Sequence, residues 1–271
     1  MASTTPSVSI ARATAERTAE LHESLAEIRA RVQQTAVVTE PTLVAVSKYK
    51  PAADVLACFE AGQLDFGENY VQELVEKASQ LSPDIRWHFI GTLQSNKAKT
   101  LASIPNLYAV QTINSIKAAT ALNKALPEDR PSLLNVLIQV NTSGESNKSG
   151  IPPLSPTSSS PDLVELAQHI ITQCPRLHLQ GLMTIGSLVE SLASDEKENE
   201  DFETLKTTRD TLQTHLASQG LSGEGGKWGK DGKLVLSMGM SSDFVAALQA
   251  GSDIVRVGTG IFGSRPKKET S

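Results

Sequence analysis

Apolar and polar positions along this chain follow two periods that take turns. Short runs at 42–48, 65–69, 86–91, 107–112, 134–140, 179–185, 234–238 and 253–258 have the length of buried strands, and most of them, though not Asp65-Phe-Gly-Glu-Asn69, have the Val, Ile and Leu content as well. Stretches with a helical repeat separate them. Val55, Leu56 and Phe59 share one face of a helix over 51–61 that Gly62 ends, and Val71, Leu74, Val75 and Ala78 share a face of the next. Residues 94–102 form a third helix, and Asn114 is the expected cap of a fourth carrying Ile116, Ala119 and Leu122. Residues 162–172 follow, then 194–216 with Phe202, Leu205, Leu212 and Leu216 inward. A last helix is capped by Ser242 or Asp243 and stopped by Gly251. Leu21, Leu25, Ile28 and Val32 predict one further helix, over 7–34, before the first strand.

Strands alternating with helices imply parallel pairing. Eight such units predict an α/β fold, a single (β/α)8 TIM barrel with an extra N-terminal helix. A doubly wound sheet is the alternative. It usually shows a Gly-rich turn after its first strand, where this chain has Ser47-Lys48-Tyr49. The barrel domain is expected over 7–266, after a disordered tip at 1–6. Two insertions are expected in it, a flexible Ser/Pro-rich one near 152–161 and a mobile Gly/Lys-rich one near 221–233.

The chain has 271 residues and a formal charge of −5, from 25 basic and 30 acidic residues. That balance argues against a nucleic-acid binder, yet permits a small anion held by local groups. Cys58 and Cys174 are the only cysteines and lie in no CxxC pair, which favours a reducing compartment. The cytoplasm is the expected location, with a mitochondrial pool as the alternative. No apolar run reaches the roughly 18 residues of a membrane span. The histidines show no metal-ligand spacing, and His88 reads as a packed or ligand-neighbouring histidine and not as a general base.

In a parallel barrel every strand delivers its carboxyl end to one rim, where the site forms. The first run ends at Lys48. An amine there faces either solvent in a loop or a site in which a desolvated amine attacks an aldehyde. The other runs bring Asn69, His88, Met183, Thr184, Ser237 and Arg256 to the same rim, followed by Gly258-Thr259-Gly260. That small-residue turn is either an ordinary turn or a phosphate cradle, and the loops after the last two strands are this fold's recurrent phosphate site. A lysine and a phosphate cradle on one rim point to pyridoxal 5′-phosphate (PLP), bound to the lysine as an imine. Arg256 then belongs near the ring nitrogen. A permanently protonated guanidinium donates there, leaves the nitrogen unprotonated and weakens the ring as an electron sink. The alternative for Arg256 is an ion pair with Asp253 or Asp243.

The segments LVAVSKYKP, FGENYVQE, WHFIGTLQSNK, VNTSGESNKSGI, GLMTIGS, SMGMSSDFVAAL and VRVGTGIFG cover most of 42–264. In them the chain resembles the pyridoxal phosphate homeostasis proteins, which are similar to the barrel domain of alanine racemases. The resemblance implies a fold-type III PLP barrel with the cofactor on Lys48. It further implies phosphate contacts from Ser237, Gly258 and Thr259, a ring-nitrogen contact from Arg256, and Asn69 and Met183 near the ring. The implied function is intracellular PLP homeostasis: buffering the cofactor and delivering it to PLP-dependent apoenzymes, with no membrane or nucleic-acid partner and as a monomer. The alternative is an amino-acid racemase of the alanine racemase type, which needs an acid/base group on each face of the substrate carbon. Lys148, in the loop after the fifth run, is either solvated or a contact during delivery.

Overall fold

The computed structural model describes residues 11–187, 199–221, 223 and 228–264. All eight strands form: β1 (Thr42–Val46), β2 (Asp65–Glu68), β3 (Arg86–Phe89), β4 (Leu107–Ile113), β5 (Leu134–Gln139), β6 (Leu177–Met183), β7 (Val235–Ser237) and β8 (Ile254–Val257). Each pairs in parallel with the next, and β8 returns to β1 with Val44 opposite Arg256, so the barrel closes. The helices are α1 (Ala15–Thr35), α2 (Ala52–Glu60), α3 (Val71–Gln80), α4 (Ala98–Ala102), α5 (Ile116–Ala125), α6 (Pro161–Gln173), α7 (Glu200–Ser218), α8 (Phe244–Gln249) and α9 (Thr259–Phe262).

Strand parity divides the core in two. Leu43 and Ala45 of β1 join the large apolar layer between barrel and helices, with Phe66, Trp87, Leu134 and Val255. Val44 instead meets Leu137, Met183, Val235 and Ile254 in a plug inside the barrel. α1 buries Leu21, Leu25, Ile28 and Val32 against α2, α8 and α9. Arg17 fastens it there, donating to Asp54 Oδ2 (2.8 Å) and to the Phe262 carbonyl (2.8 Å). The extra helix thus spans the seam where the first strand closes on the last.

Several expected details differ. α1 starts at Ala15, because the Thr14 hydroxyl caps it by accepting from Arg17 N. The tip at 1–6 lies outside the described residues. In α2 the fully buried residues are Val55, Ala57 and Cys58, while Leu56 and Phe59 are half-buried. The third helix splits into a 3-10 turn at Ser95–Lys97 and the short α4. The cap of α5 is Ser115, which accepts from Ala118 N, and not Asn114. β6 starts and stops two residues earlier than its apolar run.

The Ser/Pro-rich stretch, expected to be flexible, is packed down. Ile151 N donates to the end of β5 at Gln139 O (2.8 Å), Leu154 enters the core, and the Ser160 hydroxyl donates to Pro152 O. In the Gly/Lys-rich stretch Trp228 is buried and donates from Nε1 to Leu221 O (2.9 Å). Residues 222 and 224–227 lie outside the described residues. Among the described residues no helix is long and apolar enough to cross a membrane, and no group of three His, Cys, Asp or Glu is placed to hold a metal.

Candidate functional site

Lys48 follows β1 by two residues, on the parity of Val44 and Val46, so it belongs to the barrel interior. The chain leaves the strand in a tight turn closed by Lys50 N donating to Ser47 O (3.0 Å). Tyr49 takes the third position of that turn with φ +63, a conformation other side chains than Gly and Asn rarely adopt. Such a residue stores about 1–3 kcal/mol of strain and needs outside support.

The support comes from α3. Lys77 Nζ donates to Ser47 O (2.7 Å), to Glu68 Oε1 (2.6 Å) and to Glu73 Oε1 (2.7 Å). Glu73 Oε1 also accepts from Tyr49 N (2.7 Å), and the Ser47 hydroxyl donates to Glu68 Oε1 (2.7 Å). One buried cation and two carboxylates therefore grip the backbone on both sides of Lys48. Burial pushes the Glu68 carboxyl above its ordinary value, and Lys77 and Ser47 partly offset this. Lys77 was legible as Leu74+3 on the inward face of a helix, but its charge disguised it.

Arg256 sits on β8 with 4 % exposure. It donates from Nη1 to Ser237 Oγ (2.6 Å) and from Nη2 to Thr184 O (2.7 Å). Both acceptors are neutral. Of the two acids named in the alternative reading, Asp253 accepts from Leu236 N and Asp243 from Met240 N. Burial lowers the guanidinium to about 10, with the field of Asp243 raising it, and it stays protonated at neutral pH.

These groups meet in a cavity of about 510 Å³ at the carboxyl ends of the strands. Lys48, Lys50, Asn69, Arg256, Ser241, Ser242, Gly258, Thr259 and Gly263 line it, with Val46, Ile90, Ile185 and Met240 as apolar walls. Five of the expected residues are thus brought together: Lys48, Asn69, Arg256, Gly258 and Thr259. Two are not. Met183 is part of the interior plug, and Ser237 is fully buried below the cavity, spent on Arg256 and Gln111. Ser241 and Ser242 take its place at the lining. Gly239, at φ +91 with a Cβ position 2.4 Å from Ala247 Cβ, turns the chain after β7 and brings them there. Ser241 Oγ accepts from Gly258 N (3.0 Å), which leaves its own proton for a ligand.

Lys50 was missed although it stands two residues from Lys48. Its Nζ donates to Phe262 O (3.0 Å) and Ser264 O (2.9 Å), and burial followed by Arg17 lowers its pKa. Lys148 does not line the cavity; it donates to Glu145 Oε1 (2.6 Å) and Gly186 O (3.0 Å).

Asn69 reaches the lining because Gly91 lets its backbone pass. A Cβ on Gly91 would lie 1.9 Å from Asn69 O. Gly91→Ala is expected to destabilise the protein by about 1–3 kcal/mol, as overpacked sites do, and to push Asn69 out of the cavity. An unchanged denaturation midpoint would show that this contact is looser than described.

Sequence comparison agrees with the geometry. Residues 23–266 match the family model described as alanine racemase, N-terminal domain. The pyridoxal phosphate homeostasis protein of Schizosaccharomyces pombe is 43 % identical over 251 residues, 93 % of this chain and 95 % of that protein. The chain belongs to the pyridoxal phosphate homeostasis protein family. A human family member is 40 % identical over 255 residues, covering 89 % of this chain and 86 % of its own. Among solved structures, PipY of Synechococcus elongatus with PLP bound superposes with a TM-score of 0.70 at 28 % identity, over 90 % of this chain and all of that one. Alanine racemase of Clostridium difficile superposes at 0.64 with 14 % identity, over 91 % of this chain and 61 % of its own, which is a likeness of fold alone.

Proposed function

We propose that the cavity holds PLP on Lys48 and that the protein buffers this cofactor and hands it to PLP-dependent apoenzymes. One observation carries the reading: the described lining contains three cationic side chains, Lys48, Lys50 and Arg256, and no carboxylate. Such a pocket favours an anion of small-molecule size. The homeostasis proteins that resemble it over most of their length, and the PLP-bound PipY structure, support the choice of anion.

The residues fit the group. Asn69 Oδ1 is buried without a partner and borders the cavity, so a polar ligand would satisfy it. When bound, PLP supplies an aldehyde carbon that a primary amine captures with loss of water. Lys48 presents that amine from its clamped turn. Ser241, Ser242 and Thr259 offer hydroxyl donors to a phosphate. Arg256 offers a protonated donor to a ring nitrogen and holds that nitrogen without a proton. Val46, Ile90, Ile185 and Met240 supply apolar contact and exclude water.

Holding the cofactor is favoured over turnover because the described lining has no imidazole, carboxylate or phenol to serve as a second base. The likeness to alanine racemases extends only to the fold. The monomeric state and a cytoplasmic location are part of the same proposal.

The test is to mix the protein with PLP, reduce with borohydride, digest and locate the added mass. It is expected on the peptide carrying Lys48. Addition at other lysines alone would refute the assignment, and fast racemisation of alanine by the purified protein would refute the carrier reading.

A further inference from the structure

Below the cavity a hydrogen-bonded chain of polar side chains crosses the barrel interior, where apolar side chains would ordinarily pack. It begins at the half-exposed Arg86 near the opposite rim, which pairs with Asp65. Asp65 Oδ1 is 2.9 Å from His88 Nε2, and His88 Nδ1 is 3.0 Å from Gln111 Nε2. Gln111 Oε1 accepts from Ser237 Oγ (2.7 Å), and Ser237 Oγ accepts from Arg256 Nη1 (2.6 Å). The five links draw one residue each from β2, β3, β4, β7 and β8, and none of the five is more than 6 % exposed.

The atom types give the chain a direction. Arg256 has only donors, so Ser237 must accept from it and send its single proton to Gln111 Oε1. The Gln111 amide then turns its NH₂ to His88. His88 Nδ1 must therefore accept, so the proton sits on Nε2 and goes to Asp65. The tautomer follows from the partners. The groups facing His88 are Asp65 from β2, with Arg86 behind it, and Gln111 and the Tyr108 ring from β4 at 5.2 Å.

We infer that Asp65, His88 and Gln111 are positioning residues for Arg256: through Ser237 they fix which way the guanidinium lies and which N–H groups it turns into the cavity. The inference rests on the reading that Arg256 faces the ring of a bound pyridine. A merely structural network would lose stability on replacement of a member and leave ligand retention in the folded protein unchanged. A positioning network demands an acceptor at Ser237 and a fixed tautomer at His88.

The experiment has two parts. In ligand-free wild-type protein, nitrogen-detected NMR of His88 should show the Nε2–H tautomer; a proton on Nδ1 overturns the inference without reference to PLP. For loaded protein, Gln111→Leu removes the acceptor of the Ser237 proton and should weaken PLP retention by up to about tenfold, the upper worth of one neutral hydrogen bond, and shift the absorbance maximum. Gln111→Glu restores the acceptor. It should hold PLP within about twofold of wild type. Equal retention and absorbance in Gln111→Leu and wild type would overturn the inference while leaving the PLP reading intact. So would a folded Gln111→Glu protein that fails as Gln111→Leu does. Should wild type form no covalent adduct, the PLP reading falls, and the tautomer still decides whether the relay has the stated direction.

Discussion

Lys48→Ala should leave a protein that folds normally and forms no covalent adduct with PLP. The fold should survive because the turn is closed by Lys50 N on Ser47 O and gripped by Lys77 and Glu73, bonds to backbone that alanine retains. What disappears is the amine. On the proposed reading Arg256, Ser241 and Thr259 would still contact the ring and phosphate, so weak noncovalent binding should persist. Loss of the covalent link is expected to cut retention about 100-fold, ~3 kcal/mol. The second amine, Lys50, is a poor substitute. It is committed to two carbonyls at and just beyond the end of α9, and leaving them would give up both hydrogen bonds. Difference absorbance on adding PLP, with borohydride trapping, reads the result. A full-strength chromophore in Lys48→Ala, or mass added at Lys50, would move the covalent role away from Lys48.

The largest stability effect is expected at Lys77. Its side chain is 6 % exposed and its partner Glu68 is fully buried. Lys77→Met removes the cation and leaves the buried Glu68 carboxylate with the Ser47 hydroxyl and no counter-charge. Breaking one side of a buried pair typically costs about 3–5 kcal/mol. For a chain of this size that lowers the melting temperature by on the order of 10 °C. The damage should also reach the site, since Ser47 O is left with Lys50 N as its donor and the turn that holds Tyr49 at positive φ loses the Lys77 side of its clamp. Lys77→Met should therefore slow adduct formation at Lys48 as well as destabilise. Adding Glu68→Gln neutralises the stranded carboxyl and is expected to recover more than half of the lost stability, a coupling that independent sites would not show. Calorimetry of the two single variants and the double variant decides this. If Lys77→Met melts with wild type, the buried triad does not support the turn.

Asp65 illustrates how one residue serves two tasks. Burial alone would raise its carboxyl, yet His88 and then Arg86 hold it below the ordinary value. The same charge that anchors the interior chain also ties the opposite rim to the barrel. Sequence reasoning placed Asp65 only as the first residue of a strand.

The barrel was legible because its cause is local and repeated. Most strands are short and rich in Val, Ile and Leu, most helices carry a 3.6-residue stripe, and Gly62 and Gly251 end helices at φ +82 and +91. Boundaries slipped where a local cue had an equal neighbour, as with Asn114 and Ser115 at one helix start. Lys48, Asn69, Arg256, Gly258 and Thr259 could be placed at the cavity because a parallel barrel sends every strand end to one rim.

What the amino-acid order determined alone was therefore the period of burial, the number of βα units and the identity of the rim. The direction of each side chain at that rim was decided in three dimensions. Ser237 and Ser241 look interchangeable along the chain. Only the positive-φ turn at Gly239 decides that Ser241 lines the cavity while Ser237 becomes a buried strut for Arg256. Lys77 likewise reads as one solvated lysine among many. Its role exists only because α3 lays it beside Glu68 and the carbonyl of Ser47, two partners separated from it by 9 and 30 residues. Periodicity is a property of neighbours in the chain, whereas hydrogen-bond partners in a closed barrel come from strands far apart in it, and only closure brings them within reach.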